Sequence, residues 1–167
     1  DDDSVEYLVM DEGNEWTLSS AVQITDRTSE SALVRAAESS RMQHVRCLNT
    51  QHNAEDIFPL LCCANFSSLQ SLSLCDTLLL GDDNDNTAMT KLTAALCRMP
   101  QLQQLNFGVE LREEKRIAEL FDVLSGLPLT ALCVRFHSSA TQQNALKFAD
   151  LLRSKCDTLQ SLEVSCF

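Results

Sequence analysis

The residues able to do chemistry are few and scattered. Three histidines, His44, His52 and His137, stand far apart in the chain. His52 and Asp56 are four residues apart, one turn if both are helical, a spacing that suits a surface hydrogen bond. Asp82, Asn84 and Asn86 have the spacing of the first three ligands of an EF-hand loop. Thr87 stands where that loop needs glycine and Thr93 where it needs glutamate, so the run reads as helix-capping polar residues. No P-loop, G-x-S-x-G elbow or H-E-x-x-H pair occurs. The chain is therefore expected to be no enzyme and to need no cofactor or metal.

Eight cysteines are spread over the chain with no C-x-x-C and no zinc-type pairing with histidine. The Cys62–Cys63 pair sits among apolar residues, an environment expected to bury thiols rather than activate them. They read as reduced thiols of a cytoplasmic or nuclear protein. The net charge of -11 disfavours a phosphate backbone, which needs clustered Lys and Arg, and points to a basic protein partner rather than nucleic acid. No apolar run approaches the roughly 20 residues that span a bilayer, so no membrane segment is expected.

The elements that must position these residues are set by a repeated pattern. LQSLSL (Leu69 to Leu74) returns as LQQLNF (Leu102 to Phe107) and LQSLEV (Leu159 to Val164). Looser copies are LTALCV (Leu129 to Val134), MQHVRC (Met42 to Cys47) and VEYLVM (Val5 to Met10). The fourth position then falls at Leu8, Val45, Leu72, Leu105, Leu132 and Leu162, a unit of about thirty residues. Between the copies lie helical patterns over Ser29 to Arg41, Ala54 to Cys63, Thr87 to Arg98, Leu111 to Ser125 and Thr141 to Lys155. In the fourth, Ile117, Leu120, Phe121 and Leu124 share one face, and Gly126 stands as a C-cap. In the fifth, Ala145, Phe148, Ala149 and Leu152 are expected inward. Residues 1–28 form an irregular segment carrying a candidate first repeat strand, with an extra strand expected near Ser20 to Thr25. Residues 29–167 form the repeat domain.

On these hexamers the chain resembles leucine-rich repeat proteins of the ribonuclease-inhibitor-like subclass. Helix endings such as LTAALCRMPQL (Leu92 to Leu102) and the turn LLLGDD (Leu78 to Asp83) share in the likeness. The resemblance implies an α/β solenoid of about five or six repeats. It would be a short horseshoe, with a parallel β-sheet on the concave face and helices on the convex face. The family binds proteins, often through the concave sheet, so a protein–protein interaction module or scaffold is expected. Two further readings are open: a GTPase-activating protein of the leucine-rich kind, with Arg112 or Arg135 as its polar group, and an architectural subunit of a larger assembly or receptor.

Strand residues alternate between faces. If the leucines face the helices, the partner-binding candidates on the concave face are Tyr7, His44, Arg46, Ser71, Ser73, Gln104, Asn106, Arg135 and Glu163. The final hexamer has no helical pattern after it, and an uncovered sheet edge is a pairing site. A partner or further repeats are expected at that C-terminal edge.

Overall fold

A computed structural model of the chain describes residues 8–9, 21–24, 28, 30–50, 54–78, 87–109, 114–136 and 141–166. Strands and helices alternate along it. Strands β1 (Leu8–Val9) and β2 (Ala21–Ile24) are followed by helix α1 (Glu30–Glu38) and a 3-10 turn (Ser40–His44). Then come β3 (Cys47–Thr50), α2 (Ala54–Cys63), β4 (Ser71–Leu78) and α3 (Thr87–Leu96). The last elements are β5 (Gln104–Val109), α4 (Glu114–Gly126), β6 (Ala131–Phe136), α5 (Gln142–Ser154) and β7 (Ser161–Cys166).

The fold is α/β. All seven strands are parallel and stand in sequence order from β1 to β7. Parallel strands in sequence order, joined by right-handed crossovers, carry their helices on one face. Each helix from α1 to α5 packs on the next, so the helices make a row beneath the sheet.

The register explains the leucines. Leu8, Val22, Leu48, Leu72, Leu105, Leu132 and Leu162 are direct partners from strand to strand. From Val22 to Leu132 this ladder is buried and joins one apolar core with Ile57, Leu92, Ile117, Leu120 and Leu124 of the helices. Truncating such a leucine to alanine costs about 2–5 kcal/mol.

A second regularity joins the units. One carbonyl just ahead of each strand from β3 to β6 accepts two N–H groups from the next unit. Arg46 O takes Gln70 N at 2.7 Å and Ser71 N at 2.9 Å; Gln70 O takes Gln103 N and Gln104 N; Gln103 O takes Thr130 N and Ala131 N; Thr130 O takes Gln160 N and Ser161 N. Three residues before each first apolar position an apolar side chain (Met42, Phe66, Met99) is buried, and its carbonyl accepts the N–H of Val45, Leu69 or Leu102. Leu127 takes this place in the β6 unit, its carbonyl accepting the N–H of Leu129. Ahead of β7 the buried residue is Lys155, whose Nζ donates to the carbonyl of Leu127. Arg98 similarly ties units together, donating to Leu61 O at the end of α2 at 2.7 Å.

Four sequence expectations need correction. The strand expected at Met42 to Cys47 lies three residues later. Met42 to His44 are in the 3-10 turn, and Val45, Leu48 and Thr50 take the three inward positions, at 3%, 1% and 1% exposure. Met42, Val45 and Leu48 are spaced by three, so two overlapping L-x-x-L frames exist, and the wrong one was the more apolar at its sixth position. Leu48 is thus a core residue.

Helix α5 is rotated from its expected face. Leu151 and Asn144 are buried, Phe148 and Leu152 half-buried, and Ala145 and Ala149 exposed. Thr141 sets its start, with Oγ1 accepting the Asn144 N–H at 3.2 Å. Phe148 then meets Phe121 and Phe136 with ring centroids 5.6 and 5.3 Å away. Gly126 closes α4 without a left-handed conformation, since no described glycine has positive φ. Of the six cysteines whose side chains are described none is buried: Cys63, Cys97 and Cys156 are exposed, and Cys47, Cys62 and Cys133 half-buried, all as free thiols. The strand expected near Ser20 to Thr25 is found as β2, paired with β3 in the main sheet.

Candidate functional site: the open face of the sheet

The face of the sheet opposite the helices is built from the alternate strand residues. Two rows cross it. One runs Cys47, Ser71, Gln104, Ala131, Ser161; the other runs Gln23, Asn49, Ser73, Asn106, Cys133, Glu163. These side chains are half-exposed or exposed, whereas their strand neighbours Leu72, Leu105 and Leu132 are buried. The alternation follows from the pleat: every inward leucine leaves its neighbours pointing out. Across β4 to β7 the rows floor an open depression of about 220 Å³, lined by Ser71, Ser73, Gln104, Asn106, Ala131, Cys133, Ser161 and Glu163.

Of the expected binding residues, Ser71, Ser73, Gln104, Asn106, Arg135 and Glu163 are brought together on this face. His44 and Arg46 are not. His44 is an exposed residue of the 3-10 turn beside Gln43, and Arg46 precedes β3, serving through its carbonyl. The positions assigned to them belong to Cys47 and Asn49, missed because of the frame error at Met42. Tyr7 lies outside the described residues, as do Arg112, His52, His137 and the Asp82 to Asn86 loop.

The polar side chains of this face are partly engaged with one another. Asn106 Nδ2 donates to Ser73 Oγ at 3.2 Å. The Arg135 guanidinium donates to Asn106 Oδ1 at 3.4 Å and to the carbonyl of Leu74, two strands away, at 3.2 Å. The register of β4 and β5 shifts between Ser73 and Thr77, an irregularity beside the Leu74 carbonyl that the arginine reaches. Arg135 Nε is buried without a hydrogen-bond partner. The one described candidate for a catalytic arginine is therefore held against the sheet's own backbone.

The thiols on this face are held protonated. Burial pushes the Cys133 thiol up, and the adjacent Glu163 carboxylate raises it further against the lowering effect of Arg135. Burial likewise raises Cys47, with Arg46 opposing. Neither has the electropositive setting of a nucleophilic cysteine. Among the described residues no group of three or more His, Cys, Asp or Glu converges as metal ligands would, and no helix is long and apolar enough to cross a membrane.

The arrangement offers hydroxyls, amides and one carboxylate on a shallow platform. It can exchange hydrogen bonds with a polar surface, and among the described residues it brings together no nucleophile, base and orienting group. Comparison with protein-family models, with curated proteins and with solved structures finds no match for the chain.

Proposed function

We propose that this chain is a leucine-rich repeat solenoid whose open sheet face binds another protein. The observation that carries this reading is the sheet's asymmetry. One side is sealed by helices and apolar side chains, while the other presents two rows of small polar groups across β3 to β7 with no helix upon them among the described residues. Small side chains leave their own hydrogen-bonding groups accessible to a partner over an extended surface. The recurrent carbonyl stitch at Arg46, Gln70, Gln103 and Thr130 supports the repeat reading, since one local geometry recurs from β3 to β6. The net charge of -11 favours a basic partner.

A photocrosslinking amino acid placed at Ser73 or Gln104, against controls at the exposed α4 residues Glu119 and Asp122, tests the proposal. The reading expects one discrete protein adduct from the sheet positions, reproduced with the purified partner. Adducts confined to the helix positions would sink it.

A further inference from the structure

The inner face of α5 is built differently from that of α4. Ile117, Phe121 and Leu124 of α4 are all buried in the apolar core. The same spacing, four residues and then three, falls on Asn144, Phe148 and Leu151 of α5. Asn144 is 2% exposed and Phe148 half-buried, so Leu151 is the one apolar residue that α5 buries fully. Neither Oδ1 nor Nδ2 of Asn144 has a hydrogen-bond partner among the described residues. An amide buried in this way gives up its bonds to water and gains none in return. Just past the helix, Lys155 puts an amine where the preceding unit buries Leu127. The other polar contacts of α5 bind the helix to itself. Thr141 Oγ1 accepts the Asn144 N–H at 3.2 Å, Arg153 pairs with Asp150 at 2.6 Å, and Ser154 Oγ donates to the carbonyl of Leu151 at 2.7 Å. What holds α5 to its neighbours is Leu151 in the core, Phe148 against Phe121 and Phe136, and the Lys155 contact with Leu127.

From the orphaned Asn144 amide on this thinly apolar face we infer that α5 is a detachable strap, which leaves as a unit while α4 and β6 stay folded. Opening gives the Asn144 amide and the Lys155 amine to water, which lowers the cost of the open state relative to the other helices. It also separates Phe148 from Phe121 and Phe136 and bares those two rings on the helix side of the sheet. The chain therefore has a second state that presents an apolar surface hidden in the first, and a ligand for that surface would shift the balance between them. The weakness lies where α5 faces α4 and β6, on the opposite side of the sheet from the open polar face.

Native-state amide exchange of the full chain over a range of low urea concentrations tests this. Exchange at Leu151 and Leu152 is compared with exchange at Leu120 and Leu124 of α4. The inference expects the α5 amides to exchange faster, and with a shallower dependence on urea, because releasing one helix exposes less surface than unfolding the whole chain. Asn144→Leu removes the orphaned amide at nearly constant volume. It should slow exchange at Leu151 and Leu152 by about tenfold, the cost of one unsatisfied buried amide. Equal rates and equal urea slopes in α4 and α5 would overturn the inference. So would faster exchange in α5 that Asn144→Leu leaves unchanged, since the opening would then owe nothing to the buried amide.

Discussion

Arg135 on β6 reaches across β5 to donate to the backbone carbonyl of Leu74 on β4, 3.2 Å away. The path passes Gly108, the β5 residue directly opposite Arg135 and itself buried. A glycine here leaves the sheet surface without a side chain where the arginine must lie flat. The pair explains why the charged Arg135 is half-buried on this face: it satisfies a carbonyl beside the β4 irregularity. Arg135→Met is expected to destabilise the chain by about 1–2 kcal/mol, because a hydrogen bond from a charged donor is lost while its acceptor remains. Gly108→Leu should do similar damage by blocking the path. Urea unfolding of both variants checks this; a loss only in Arg135→Met would show that Gly108 does not provide the route.

Lys155 occupies a site that Met42, Phe66, Met99 and Leu127 fill in the earlier units. Burial lowers its amine below the ordinary lysine range. Because the folded value is lower than the unfolded one, the unfolded chain binds more protons between the two, and stability rises with pH through that alkaline window. Lys155→Met should abolish the rise, since it removes the titrating amine along with its hydrogen bond to the Leu127 carbonyl. Chemical denaturation of both proteins at a series of pH values up to about 10.4, the ordinary lysine value, measures the effect.

Gly126 ends α4 without positive φ, and a Cβ built there meets nothing within 4 Å. Glycine so placed only adds freedom to the unfolded chain. Gly126→Ala should stabilise by about 0.5–1 kcal/mol, seen as a rise in Tm.

The Cys133 thiol is raised by burial and then by Glu163, whereas Cys63, Cys97 and Cys156 are exposed. Alkylation near pH 8 should reach the exposed thiols first. Glu163→Gln should lower the Cys133 value, enlarge its thiolate fraction, and speed its labelling by roughly two- to threefold. Peptide mapping of the modified sites by mass spectrometry reads the order.

The parallel α/β architecture was legible from Leu69, Leu72 and Leu74 and their copies, because a strand buried on one face and a helix buried on one face leave two different periods in the sequence. Helix α4 kept its expected inward residues for the same reason. The frame at β3 was not legible. Met42, Val45 and Leu48 are equally spaced, and only pairing with Leu72 decides that the third is the strand residue. That ambiguity cost Asn49 and Cys47 their place on the open face and gave it to His44 and Arg46. The turn of α5 misled for another reason: the capping hydroxyl of Thr141 fixes where the helix begins, and its buried face includes the polar Asn144, which an apolar pattern does not reveal. The link from Arg135 to Leu74 is long-range and depends on the irregularity in β4, a feature of pairing rather than of composition.

The open sheet face as a protein-binding surface is tested most directly by affinity for the partner identified by crosslinking. Titration calorimetry compares the native chain with Ser73→Arg, Asn106→Arg and the helix-face control Glu119→Arg, each shown by thermal unfolding to remain folded. The account predicts at least about tenfold weaker binding for the two sheet-face variants and unchanged binding for Glu119→Arg. Native affinity in Ser73→Arg and Asn106→Arg, with loss in Glu119→Arg, would contradict it.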